Sequence, residues 1–251
     1  MPLSINTNIA SLTAQRSFLN SNSALETAFE RLSTGKRINS ASDDAAGLAI
    51  ATDLNSRVSG LNQAVRNVND GISMVQIMEG TYDEVTSILQ RMRDMAVQAA
   101  NGSLTATEQG YLETEQTALQ TALGEAINQA TFGKVDLVSS AANSTVVIQT
   151  GANTGDTVNI VVSTTTVSNA SELGITAIDL SSDASAAIGL VDTALTRVAT
   201  QRAQLGAYQA QLESTVRNIS NVAENTAAAA GRIMDTDYAA ETANLTKAQI
   251  L

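Results

Sequence analysis

SDDAAGLAIATDLNSRVSGLNQAVRNVNDGISMVQ, residues 42–76, opens a proline-free stretch that runs on to RMRDMAVQAA at residues 91–100. Its apolar positions are Leu54, Val58, Leu61, Val65, Val68, Ile72, Val75, Tyr82, Leu89, Met92, Ala96 and Ala99. They step by threes and fours almost throughout, the period of a helix laid along a partner helix. Glu79 and Thr86 occupy the two slots where an apolar residue is missing. Ser42, Asp43 and Asp44 supply N-cap oxygens and acids for the positive end of the helix dipole. Asn101-Gly102 is a stop signal. At 1.5 Å per residue this helix is roughly 85 Å long, about twice the width of a compact domain of this size. The expected molecule is elongated around this spine.

The rest of the chain supplies partners for it. Residues 4–33 form a weaker stripe: Ile5, Ile9, Leu12, Leu19, Leu25, Phe29 and Leu32, with Asn, Ser, Thr and Gln on the other faces. One apolar face buries too little to offset the entropy of ordering so many residues. This segment is therefore expected to order only when partners surround it. STGKRINSA, residues 33–41, is a polar connector broken by Gly35. After Gly102, Thr105 or Thr107 with Glu108 opens a third helix. Its stripe is Leu112, Glu115 or Gln116, Leu119, Leu123, Ile127 and Ala130, and it folds back on the spine.

From Phe132 the period changes. Val146, Ile148 and Thr150 alternate, as do Val158, Ile160 and Val162, around the turn GANTGD at residues 151–156. That pattern predicts a β-hairpin. One further short strand is expected near Ile175–Leu180. Ser182-Asp183 then caps the last long helix, whose stripe is Ile188, Val191, Leu195, Val198, Leu205, Leu212, Val216 and Ile219, with Arg202 and Gln209 in register. An amphipathic segment with Tyr238 and Leu245 ends the chain.

The expected fold is mainly α: an elongated bundle of long, antiparallel, coiled-coil-like helices, a small β-hairpin insert, and terminal helices that order on assembly. The expected divisions are an assembly helix and connector at 1–41, two rod helices at 42–131, the hairpin and loops at 132–181, the C-terminal rod helix at 182–234 and a C-terminal assembly helix at 235–251.

Composition narrows the function. Aromatics make up 3%, proline occurs once, and His, Cys and Trp are absent. Without His or Cys the commonest proton shuttle, soft metal ligands and thiol nucleophiles are missing, which argues against enzymology. Asp43 with Asp44, and Asp179 with Asp183, are better read as helix-cap and loop acids than as cation ligands. A net charge of −11 argues against nucleic acid. There is no apolar run long enough for a membrane span. MPLSINTNIASL lacks the basic and apolar regions of a cleavable signal peptide. Asn101-Gly102-Ser103 and Asn143-Ser144-Thr145 fit the N-glycan tripeptide, which arises often by chance.

Four strings resemble bacterial flagellin: LSTGKRINSASDDAAGLAIA at 32–51, LQRMRDMAVQAANG at 89–102, VVIQTGANTGDTVNIVV at 146–162 and RIMDTDYAAETANLTKAQIL at 232–251. They span both ends and the middle. The resemblance implies an extracellular structural subunit that polymerises into the flagellar filament for swimming, with no cofactor and no metal. It implies export without a cleaved signal peptide, unfolded, by the flagellar type III route. It implies as partners other subunits, an export chaperone, and filament-cap and hook–filament junction proteins. Three departures stand out. The large outer domains of many relatives are missing. Chains of the family usually run on beyond KAQIL, so the C-terminal assembly helix is expected to be truncated. TFGKVDLVSS replaces the usual Phe-Asn-Gly form. Host flagellin receptors recognise the rod of some relatives. Arg91 and Glu115 match that epitope, and Met95 stands where Leu is usual. Inter-subunit contact or a solvated helix surface is an equal explanation of Arg91 and Glu115. Two other readings are a hook–filament junction protein and a non-flagellar coiled-coil adaptor binding through the seam Leu54–Ala99. The hairpin and the apolar ends disfavour the adaptor.

Overall fold

The computed structural model describes residues 8–138, 145–161, 170–171, 173–180 and 183–250. In chain order the elements are α1 (Ile9–Thr34), α2 (Ala45–Ala99), α3 (Ala106–Gln129), β1 (Thr131–Phe132), β2 (Val135–Asp136), β3 (Thr145–Gln149), β4 (Thr157–Val161), α4 (Ala184–Met234) and α5 (Tyr238–Ile250). The chain divides into two compact units, Leu61–Ser220 and Met1–Gly60 with Asn221–Leu251.

The unit Leu61–Ser220 is built on one apolar cluster shared by α2, α3, α4 and the β3–β4 hairpin. Val68, Val75, Tyr82, Val85, Leu89, Met92 and Ala96 bring the inner face of α2; Val191, Ala194, Val198, Leu205, Leu212 and Ile219 bring that of α4. Two ion pairs fix their direction. Arg202 Nη1 lies 3.1 Å from Asp83 Oδ1 and Arg93 Nε lies 2.7 Å from Asp192 Oδ1. As the α2 number rises by ten the α4 number falls by ten, so the two helices run antiparallel.

Helix ends follow local chemistry. Thr105 and Glu108 form a reciprocal capping box at the start of α3. Asp183 Oδ1 accepts from the Ala186 amide at 2.9 Å at the start of α4; Ser182 lies outside the described residues. Asp44 Oδ1 accepts from the Gly47 amide at 2.8 Å at the start of α2. Asp43 instead holds the connector: its Oδ2 accepts from the Asn39 and Ser40 amides at 3.1 and 2.9 Å. Those bonds, the Ser40 amide first, hold its carboxyl below the ordinary carboxylate range.

β3 and β4 pair antiparallel with Ile148 opposite Val158. Ile148 and Ile160 point into the core while Val147 and Val161 stay exposed. Thr150 lies past the end of β3, and Val162 lies outside the described residues. The hairpin sits on α2 at Gly71, where an added Cβ would come 3.2 Å from Ile148 Cγ1. Asn67 Nδ2 donates to the Gln149 carbonyl at 3.3 Å, and the Val161 amide donates to Tyr208 Oη at 3.4 Å. β1 and β2 make a second, two-residue hairpin around Gly133 at φ 64°. The strand expected near Ile175–Leu180 is not formed. A 3-10 turn spans Ile175–Ala177, and α3 holds this segment: Gln120 Nε2 donates to the Ile175 carbonyl at 2.8 Å, and Glu113 Oε2 accepts from the Leu180 amide at 2.7 Å. With these two groups bonded to α3 side chains and the Ile175 and Ile178 amides bonded within the loop, the segment has less need of a strand partner.

Candidate assembly surface

In the unit formed by the two ends of the chain, α1 packs on α5. Asn8 caps α1, its Oδ1 accepting from the Ser11 amide at 3.1 Å. Gly35 ends the helix in the left-handed region at φ 71°, a conformation that glycine takes without a Cβ penalty. The chain is then clamped beside the end of α4. The Arg37 amide donates to the Met234 carbonyl at 2.6 Å, the Thr236 amide to the Gly35 carbonyl at 3.0 Å, and Arg37 Nη2 to the Ile233 carbonyl at 2.9 Å. Beyond this clamp α5 runs back along α1. A groove between them is lined by small and polar groups, among them Ser21, Ala24, Ala28 and Ala248. Glu241 is buried there, 3.8 Å from Arg31. A buried carboxylate needs such a partner.

The expected assembly seam divides three ways. Ile5 lies outside the described residues. Leu25, Leu32 and Leu245 are half-buried. Ile9, Leu12, Leu19, Phe29 and Tyr238 are exposed, from 54% at Leu12 to 70% at Ile9. Phe18, absent from the expected seam, is exposed among them. The segment is helical, as local capping allows, yet Ile9, Leu12, Phe18, Leu19 and Phe29 are left uncovered. Ala28, the buried position of α1, belongs to no large-residue stripe and was not anticipated.

Of the expected rod core, Val68, Val75, Leu89, Val198, Leu205, Leu212 and Ile219 are buried, and Leu54, Val58, Leu61, Val65, Ile72, Leu195 and Val216 are half-buried. Arg91 and Glu115 form an exposed ion pair, with Arg91 Nη2 and Nε donating to Oε1 at 2.7 and 3.2 Å. Met95 is 2% exposed and belongs to the core cluster, so of that trio it alone offers nothing to a partner at the surface. Among the described residues no group of three acids could hold a metal ion. No described helix is long and apolar enough to cross a membrane.

Long paired helices, a core filled with small and aliphatic side chains, and an apolar helix face left open define a structural protein built for contact with other chains. A family model for the bacterial flagellin N-terminal helical region matches residues 5–143, and one for the C-terminal helical region matches residues 188–251. The chain belongs to the flagellins, the structural subunits of the bacterial flagellar filament. Among its relatives, polar flagellin F of Vibrio parahaemolyticus is 34% identical over all of this chain and 94% of its own length. A flagellar filament 33 kDa core protein of Treponema phagedenis is 36% identical, and a flagellin of Halalkalibacterium halodurans 39%, each over 98% of this chain and 91% of the relative. The crystal structure of Bacillus cereus flagellin superposes with a TM-score of 0.54 at 27% identity, covering 66% of this chain and 94% of that one.

Proposed function

We propose that this filament subunit polymerises through its terminal helices, with the outer face of α1 as the contact. The observation that carries the reading is the run of exposed apolar residues, Ile9, Leu12, Phe18, Leu19 and Phe29, on a helix already held by α5. Burying that face against neighbouring copies stabilises each contact and shares the cost of ordering across the lattice. Growth on existing ends is then faster than nucleation. Deleting residues 5–32 leaves a folded unit Leu61–Ser220 and no filaments. Fibres of normal length from the deleted chain in electron microscopy would refute this.

The same reading places the working protein outside the cell in a swimming bacterium's filament. It reaches that place by flagellar export without cleavage at its N-terminus, with an export chaperone, a filament cap and junction proteins as partners. Family membership supports each of these. N-terminal sequencing of subunits shed from cells tests the export route, since a sequence starting inside the chain contradicts it. Recognition by a host receptor through Arg91 and Glu115 is a further reading, supported by the exposure of both. Loss of receptor signalling on Arg91→Ala tests it, and unchanged signalling overturns it.

A further inference from the structure

We propose that Asn101-Gly102 is a spontaneous modification site, at which the chain converts its own asparagine to isoaspartate and aspartate as it ages. The reaction needs only water. The Gly102 backbone nitrogen attacks Cγ of Asn101 and a C–N bond forms. The bond from Cγ to Nδ2 breaks, and ammonia leaves carrying the proton that the Gly102 nitrogen gives up. Water then opens the succinimide ring at either carbonyl.

Three observations favour this site. Asn101-Gly102 lies in the exposed turn between α2 and α3, and it is the sole Asn-Gly pair in the sequence. Among the described residues no acceptor takes the Gly102 amide hydrogen, and apart from its chain neighbours nothing lies within 4 Å of where a Gly102 Cβ would stand. The carboxamide is already polarised, since Asn101 Oδ1 accepts from the Ser103 amide at 3.3 Å. That donor faces the oxygen on which charge develops as Cγ becomes tetrahedral.

The Asn-Ser pairs provide internal controls. Ser21, Ser23 and Ser56 follow Asn20, Asn22 and Asn55 inside α1 and α2, where the amide nitrogen belongs to the helical ladder. Ser40 follows Asn39 in a connector, but its amide is held by Asp43 at 2.9 Å. Asn143-Ser144 lies outside the described residues. Among the described Asn-Gly and Asn-Ser pairs, Asn101 is the one at which an activated carbonyl and an unengaged nucleophile meet.

The product matters for the fold. It sets a carboxylate at the carbonyl end of α2, where the helix dipole disfavours negative charge. Isoaspartate also adds a methylene to the backbone of a turn that Gln109 braces, its Nε2 donating to the Ala99 carbonyl at 3.1 Å.

The test is ageing of the full chain in mildly alkaline buffer, with peptide mapping by mass spectrometry and methyl transfer by an isoaspartyl methyltransferase as the readouts. Conversion is expected at Asn101 before Asn20, Asn22, Asn39 or Asn55. Gly102→Ala, which meets no clash, is expected to slow it about tenfold because a side chain hinders approach of the nitrogen. Conversion at Asn101 no faster than at Asn39, or a Gly102→Ala chain that ages at the wild-type rate, overturns the proposal.

Discussion

The guanidinium of Arg202 lies 3.9 Å from the carboxylate of Glu79. Each residue interrupts the apolar stripe of its own helix, and the fold sets the two interruptions side by side. A second carboxylate, Asp83, holds the same guanidinium. The charges sit at the edge of the core, each side chain more than a third exposed. Their stabilisation is accordingly small: Arg202→Met is expected to cost about 1 kcal/mol or less, and raised salt to shrink the difference. A double-mutant cycle with Glu79→Gln and Asp83→Asn, read by urea unfolding, checks this. A coupling of several kcal/mol would contradict it.

The buried positions of the stripes carry far more. Leu89→Ala and Leu212→Ala each empty a fully buried site and are expected to cost about 2–5 kcal/mol. Half-buried Leu61 should cost less when truncated in the same way. Thermal unfolding that ranks Leu61→Ala above Leu212→Ala would show the packing to be misassigned.

Gly71 is the seat of the β3–β4 hairpin. Gly71→Ala replaces a poor helix former, and its methyl meets Ile148 at a distance that a small shift relieves, so near-neutral stability is expected. Gly71→Val has no such room and is expected to cost about 1–3 kcal/mol. Hydrogen exchange at the Ile148 and Ile160 amides is the direct measure. Faster exchange in the valine variant alone supports the seat, and identical protection in both variants argues against it.

Tyr82 gives the chain an alkaline limb. Burial raises its phenol from 10.0 to about 12. A group with a raised folded-state value contributes stability below its unfolded value and loses it as pH climbs through the folded one. Stability should therefore fall between pH 10.0 and about 12. Tyr82→Phe is expected to flatten that fall in urea midpoints measured across the range. An equally steep fall in the variant would assign the limb to other groups.

On α1, Leu12→Asp and Phe29→Asp place a charge on the face proposed for the lattice. In the free subunit both positions meet water, so melting should not move. In a filament the charge would be buried without a partner, and growth on seeds should stop. Seeded growth followed by light scattering separates the two effects, and normal growth of both variants would place the contact elsewhere.

Much of this architecture was legible because long helices write their period plainly. The α2 stripe foretold Val68, Val75, Tyr82 and Leu89 as inner residues, and of the two threonines offered for the start of α3 it is Thr105 that forms the capping box with Glu108. What escaped had little period to show. β1 and β2 are two residues each, too short to alternate. Ile175–Leu180 looks β-branched enough for a strand, but a glutamine and a glutamate on α3 bond its backbone. Gln116 occupies a fully buried site on α3, and neither its Oε1 nor its Nε2 has a hydrogen-bond partner among the described residues. Its neighbour Glu115 faces out, and sequence left the two undecided. At the ends the stripe revealed an apolar face but not what covers it. Buried Ala28 and the Arg31–Glu241 pair, which belong to the unit where α1 meets α5, carry almost no periodic signal.

The antiparallel run of α2 against α4 has a kinetic consequence. Its ion pairs join residues 119 and 99 positions apart in sequence. Most helical proteins fold fast because their contacts are local. Here the central helix pair meets only after a very long loop has closed, and that entropy must be met before any contact between the two helices can repay it. The β3–β4 hairpin and the turn from α2 into α3 close short loops and are expected to form first. The α2–α4 seam is then the late, slow step by which a newly released chain becomes a subunit.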